Sequence, residues 1–263
     1  MSLLDIAMVV VDSLMAVVPR RIPERAALER CKIISHRGEH DNKRIKENTI
    51  PAFERASAAG VWGIECDIRW TADLVPVICH DPSPRRVFGE TSAVSSLTYN
   101  QLHARVPDIP RLEEVIQRFG GNTHLMLELK AEPWPDPDRQ SGILRSLLAP
   151  LKPAEDYHLL ALDPTVFKPL AFLPSECFFP VAETNVKSIS AQALAQGYGG
   201  MGGHYLLLNT SLKNRHDAHK QRLGTGFPAS RNCLFRELNR GIEWVFSNDA
   251  VALQEIRDRH LGQ

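Results

Sequence analysis

The chain has 263 residues and lacks any excess of charge: 31 basic residues stand against 31 acidic ones. Nothing therefore favours a nucleic-acid backbone as partner, which draws on a basic surplus. Cysteine is sparse. The five residues, Cys31, Cys66, Cys79, Cys177 and Cys233, are odd in number and none falls in a C-x-x-C pair. That argues against a disulfide framework and against a thiolate zinc site, and it fits reduced thiols in a cytoplasm. The sequence also lacks a G-x-G-x-x-G turn after a strand and a Walker loop. No internal repeat, low-complexity tract or linker divides it, and 263 residues suit one large α/β domain.

The opening stretch, Met1 to Val18, is apolar but too short for a bilayer span, which needs about 20 such residues. Asp5 and Asp12 interrupt it and no basic residues precede it, the reverse of a secretory leader. Leu3, Leu4, Ala7, Val10, Val11, Leu14, Met15 and Val18 recur at helical spacing. Residues 1–30 are thus expected to form an amphipathic helix and lead-in packed on a domain covering 31–263. A helix lying on a membrane surface ranks second, because its polar face carries no lysine.

Polar residues are present where strands should end. Ile33-Ile34-Ser35 runs into His36-Arg37-Gly38. Gly63 to Arg69 alternates, so Ile64, Cys66 and Ile68 share one face and Glu65, Asp67 and Arg69 the other. Two like charges side by side are unfavourable unless a cation joins them, and such oxygen pairs suit Mg²⁺ or Ca²⁺. Val75 to His80 is expected to be a third strand ending at His80, which Asp81 can orient. His124 to Lys130 repeats the pattern, with Leu125, Leu127 and Leu129 outward and Met126, Glu128 and Lys130 inward. Glu128 is then a third oxygen ligand and Lys130 a cation for an anion such as phosphate; a plain Glu128–Lys130 ion pair is the alternative.

Further strands are expected at His158–Leu162, Cys177–Val181 and Ile242–Phe246, and less surely at Gly202–Leu208 and Gly224–Ala229. Helical patterns separate them. Pro82 to Gly121 is less regular and reads as a covering segment after the third strand, with Thr98 capping one short helix and Gly120-Gly121 ending another. Alternating strand and helix, with chemistry at strand ends, predicts a TIM-type (β/α)₈ barrel. Nine candidates are one more than the staves needed, and the two glycine-rich ones are the doubtful pair.

The ordered set HRG, ENT-x-x-AF, G-I-E-x-D, V-P-V-x-x-HD, I-P-x-L-E-E-V, L-E-L-K and the late R-G-I-x-W-x-F-S-N resembles the glycerophosphodiester phosphodiesterase family, over about residues 32 to 255. The resemblance implies an α/β barrel that hydrolyses phosphodiesters with one divalent metal ion, Mg²⁺ or Ca²⁺. It implies His36 and His80 as the acid/base pair and Glu65, Asp67 and Glu128 as metal ligands. Arg37 and Lys130 would hold the phosphate, with Glu47 and Asn48 supporting Arg37 and the metal site. The expected substrate is a small glycerophosphodiester, split to an alcohol and glycerol 3-phosphate. Two alternatives stand beside this: a lysophospholipid-specific phosphodiesterase of the phospholipase D type, and a non-catalytic phosphodiester-binding protein on the same fold. The charged loop after HRG, Pro84-Arg85-Arg86-Val87-Phe88-Gly89 after His80-Asp81, and Gly226-Phe227-Pro228-Ala229-Ser230 depart from the family pattern, which bears on substrate preference. Homo-oligomerisation is left open by the sequence.

Overall fold

The computed structural model describes residues 13–262. Eight parallel strands close into a barrel: β1 (Lys32–His36), β2 (Gly63–Trp70), β4 (His124–Leu129), β5 (Tyr157–Ala161), β6 (Phe178–Ala182), β7 (Gly200–His204), β8 (Arg222–Gly226) and β9 (Trp244–Ser247). Closure comes from β1 pairing with both β9 and β2. Helices between the staves cover the outside, as the alternation predicted. Their apolar faces meet the outward residues of β2 and β4, including Ile64, Cys66, Ile68, Leu125, Leu127 and Leu129.

The barrel interior is packed rather than hollow. Ile34, Met126, Leu160, Phe179, Trp244 and Phe246 form its apolar filling. This filling explains the two doubtful strands, both of which are staves. A Cβ at Gly224 would lie 2.6 Å from the Phe246 ring and 3.2 Å from that of Phe179. Glycines in β7 and β8 leave room for large rings inside, at the expense of the strand propensity that sequence reading relies on.

The extra strand is β3 (Pro76–Ile78), which is not a stave. It runs antiparallel to β2, pairing Ile68 with Ile78 and Trp70 with Pro76. The expectation of a third barrel strand at Val75–His80 is therefore corrected. The physical reason is the length of the connection. A parallel crossover needs about a dozen residues or more, and Thr71 to Val75 only closes a turn, with the Thr71 N–H donating to the Val75 carbonyl at 3.1 Å. The hairpin carries the chain above the barrel and back down, so that Cys79 N–H donates to the Asp67 carbonyl at 2.9 Å. Its outer side packs with Val94, Leu97, Leu102, Val106 and Ile109 in a separate apolar cluster, the covering segment. Within that segment Thr98 and Gln101 form a reciprocal cap at the start of the helix Tyr99–Arg105.

Other boundaries moved. The helix between β7 and β8 is Thr210–Ala218, and Arg222 opens β8 four residues after it ends. The stretch after β5 is a 3₁₀ helix, Pro164–Leu170. Of the expected N-terminal helix, residues 1–12 lie outside the described residues; 13–17 are helical. Asn232 donates to the Ala16 carbonyl at 2.7 Å and Arg21 Nε donates to Asn239 at 3.1 Å. This part therefore runs along the helix Arg231–Asn239.

Candidate functional site

His36 stands at the end of β1, and its neighbours are set by an unusual backbone. Arg37 has φ 59° and Asn48 has φ 58°, both left-handed and uncommon for side chains of their size. The turn at Arg37 aims its N–H at Glu65, where it donates to the carbonyl at 3.0 Å and to Oε2 at 3.1 Å. Asn48 N–H donates to the Arg37 carbonyl at 2.9 Å, which joins the ENT segment to the HRG turn. Gly38 completes that turn at φ 79°, where a Cβ would lie 2.8 Å from Ala52 and 2.9 Å from Phe53. Only glycine lets the HRG turn sit directly on the helix Ile50–Ala58.

Inside the mouth, Glu65, Asp67 and Glu128 bring ligand oxygens within 4.8 Å of one another. Asn48 Nδ2 donates to Asp67 Oδ2 at 2.7 Å. Lys130 ion-pairs with Asp67 at 2.5 Å and also with Glu128, so the alternative pairing of Lys130 with Glu128 is present. Arg37 reaches Glu47 at 3.0 Å and Asp67 at 3.4 Å.

The electrostatics follow from burial. Burial opposes ionisation of Asp67, but Lys130 and Arg37 outweigh it and hold the carboxyl down at about 2. Glu65 is pushed well above the usual carboxylate range, by burial first and by the Asp67 charge next. Glu128 is also raised by burial, against the pull of Lys130. Three acids this close are relieved by a central cation. Two buried oxygens beside them, Glu65 Oε1 and Asn48 Oδ1, have no hydrogen-bond partner. A buried oxygen left unpaired is costly, and an all-oxygen donor set of this kind fits Mg²⁺ or Ca²⁺.

The two histidines flank this cluster. His36 Nδ1 donates to Asn248 Oδ1 at 2.6 Å, which turns its Nε2 toward Glu65 Oε2, 3.8 Å away. Burial, with Arg37 beside it, lowers His36 to about 4. His80 Nδ1 donates to Asp81 Oδ1 at 2.6 Å, so its Nε2 is also the proton-accepting nitrogen. Burial lowers His80 too. His80 arrives not on a stave but at the foot of the descending hairpin. Its carbonyl accepts from Arg69 Nε at 2.9 Å, and Arg69 in turn pairs with Glu132 at 2.6 Å.

Sequence reading missed three members of the site. Arg86 donates to both Glu47 oxygens, at 2.9 and 2.7 Å, and to Asp81 at 2.7 Å. It thereby links the partner of Arg37 to the partner of His80. Asn248 was visible only as a polar residue at the end of the last strand. Phe227 lies edge-on to the His36 ring, centroids 4.8 Å apart, and is 37% exposed. Arg86 and Phe227 both fall in segments that depart from the family pattern.

Residues 36–145 match the family model of the glycerophosphoryl diester phosphodiesterase family. Over 93 residues the chain is 34% identical to glycerophosphodiester phosphodiesterase 1 of Bos taurus, covering 33% of this chain and 27% of that protein. Over 111 residues it is 34% identical to a glycerophosphodiester phosphodiesterase of Caldanaerobacter subterraneus, covering 38% of this chain and 45% of that one. The chain thus matches less than half the length of these curated relatives. The fold resembles the crystal structure of a Thermotoga maritima glycerophosphodiester phosphodiesterase with TM-score 0.73 at 15% identity, covering 86% of this chain and 98% of that one. An Oleispira antarctica phosphodiesterase in complex with the product sn-glycerol-3-phosphate gives TM-score 0.71 at 20% identity, covering 86% and 96%. The matched stretch includes every residue of the mouth described above except Asn248 and Phe227, and over it the chain is similar to the glycerophosphoryl diester phosphodiesterase family.

Proposed function

We propose that this protein hydrolyses glycerophosphodiesters to an alcohol and glycerol 3-phosphate, using one divalent metal ion, Mg²⁺ or Ca²⁺, and His36 and His80 as acid and base. The observation that carries the reading is the gathering of Glu65, Asp67 and Glu128 between two histidines, each with its Nδ1 proton committed to a second residue. Glu65, Asp67 and Glu128 would hold the ion. Bound there, it would supply charge neutralisation for the phosphoryl oxygens.

The protein's own groups do the rest. Arg37 and Lys130 orient the phosphate and offset its charge. Glu47 fixes Arg37, and Asn48 fixes Asp67. One histidine takes a proton from the nucleophile, water or a neighbouring glycerol hydroxyl, as its oxygen bonds to phosphorus. The other gives a proton to the alcohol oxygen as its bond to phosphorus breaks. The accepting histidine enters as the neutral imidazole, the form that burial favours for both rings, and the donating one enters as the imidazolium, so the pair carries one Nε2 proton between them.

One observation favours a second reading, lysophospholipids as substrates. Phe227 is an exposed aromatic beside His36, and Leu14, Val17 and Val18 are exposed near the start of the neighbouring helix. An apolar rim suits a tailed alcohol better than a small head group. No helix among the described residues is long and apolar enough to cross a membrane.

The test is release of glycerol 3-phosphate from glycerophosphocholine, and of lysophosphatidic acid from lysophosphatidylcholine, with Mg²⁺, with Ca²⁺ and with EDTA. Metal-dependent release that Glu65→Ala abolishes supports hydrolysis, and the better substrate decides between the readings. A folded, metal-loaded protein inactive on both would leave a phosphodiester-binding role.

A further inference from the structure

The N-terminal end of the barrel, opposite the mouth, carries a hollow of about 440 Å³. Volumes of a few hundred cubic ångströms are the size of small-ligand sites. Arg30 enters it from the end of the helix Arg25–Arg30, Lys32 from the start of β1, Arg222 from the start of β8, and Arg257 from the last helix, with Trp62 in its wall. The acidic residues around it are already engaged. Glu243 accepts from Arg30 at 2.8 Å and from Arg222 at 3.2 Å. Glu29 pairs with Arg25 at 2.8 Å, and Arg257 with Asp258 at 2.9 Å. In the lining of the hollow four cations, Arg30, Lys32, Arg222 and Arg257, thus face two carboxylates, Glu29 and Glu243, a surplus of two positive charges.

Lys32 is the distinctive member. Its ammonium lies 4.4 Å from the Trp62 ring centroid and 5.8 Å from that of Trp244, held on aromatic faces rather than by a carboxylate. Behind it the floor is neutral, since burial holds down the charge on His124 and His158. Trp62 stacks on His124 at 4.1 Å, and His124 Nε2 lies 2.8 Å from His158 Nδ1. Burial and the nearby Arg222 both disfavour the charge on Lys32, a cost that an arriving anion would remove.

We propose that this hollow is a second ligand site that binds a small phosphate-bearing anion, with Lys32 and Arg222 as its principal contacts. Two surplus positive charges match a phosphate dianion. The arginine forks suit phosphate oxygens, which compete with Glu243 for them, while Lys32 contributes a point charge. The site is separate from the metal cluster and does not depend on the activity proposed above.

The experiment is calorimetric titration of pyrophosphate into the full chain in EDTA. Arg37→Met removes a cation of the mouth and so separates binding there from binding in the hollow. Wild type and Arg37→Met should both show saturable binding, and Lys32→Met should weaken it by roughly tenfold, the effect of one charge-assisted hydrogen bond. Lys32→Met keeps the aliphatic stem, and circular dichroism checks that it folds. Equal binding by Lys32→Met, loss of binding in Arg37→Met alone, or no saturable binding by wild type up to about 10 mM would each overturn the proposal.

Discussion

At the scale of single residues, the mouth is a problem of like charge solved by close placement. Asp67 stays ionised because Lys130 and Arg37 touch it, whereas Glu65, buried next to it, is driven toward its protonated form. His36 and His80 each commit Nδ1 to a partner, Asn248 and Asp81, which leaves Nε2 uncommitted by these bonds. If they are the acid and base, His36→Ala and His80→Ala should each lower kcat by about 10²–10⁴-fold with little change in metal affinity. Steady-state turnover alongside metal titration checks this, and near-normal turnover in both variants would remove the assignment. The residue types at these positions were legible in the sequence because strand periodicity alone turns Glu65, Asp67 and Glu128 inward. The role of Asn248 was not, since an asparagine that closes a strand motif shows no partner until a histidine from another strand lies against it.

Among the elements, the β2–β3 hairpin does the most to shape the site. The antiparallel return lowers His80 to the level of Asp67, with Arg69 clamping its carbonyl. The short helix Arg85–Phe88 that follows brings Arg86 across to Glu47 and Asp81. Arg86 thus holds two arms of the site, and small displacements of catalytic groups are expensive in rate. Arg86→Ala should reduce kcat by roughly tenfold to a hundredfold. It should cost less than about 1 kcal/mol of stability, because its side chain is half-exposed. Lysine at this position should rescue only weakly, lacking the fork that spans both Glu47 oxygens. Turnover and thermal melting of the two variants test this; equal losses of stability and activity would make Arg86 merely structural. The hairpin itself was readable in retrospect, because five residues cannot make a parallel crossover.

For the whole molecule, the packed barrel floor has a pH dependence of its own. Burial holds His124 at about 4, and holds His158, next to it, at about 3. Unfolded histidine takes up its proton near 6.5. Between these values the unfolded chain binds more protons than the native one, so stability rises with pH and is lost as pH falls below about 6.5. Each histidine contributes up to about 1.4 kcal/mol per pH unit in that window. Glu65 and Glu128, raised in the folded state, act in the opposite sense. The measurement is therefore a difference: melting temperatures of wild type and His124→Asn from pH 7.5 to 5. The variant should melt lower at neutral pH but lose less on acidification. An unchanged slope would mean that the pair is already solvated.

Sequence alone determined the outline, because hydrophobic period and strand-end polarity are local properties. It marked the alternation of strand and helix, the inward carboxylates of β2 and β4, and both histidines. Tertiary structure decided what depends on residues distant in the chain. The glycine-rich segments became staves only because Phe179 and Phe246 need the space they leave. Asn248 and Phe227 joined the mouth, and Lys32 met Arg222 at the opposite end, only when ring closure brought β1 against β9 and β9 against β8. Such contacts have no period to read, since the barrel geometry that creates them is a property of the closed sheet and not of any one segment.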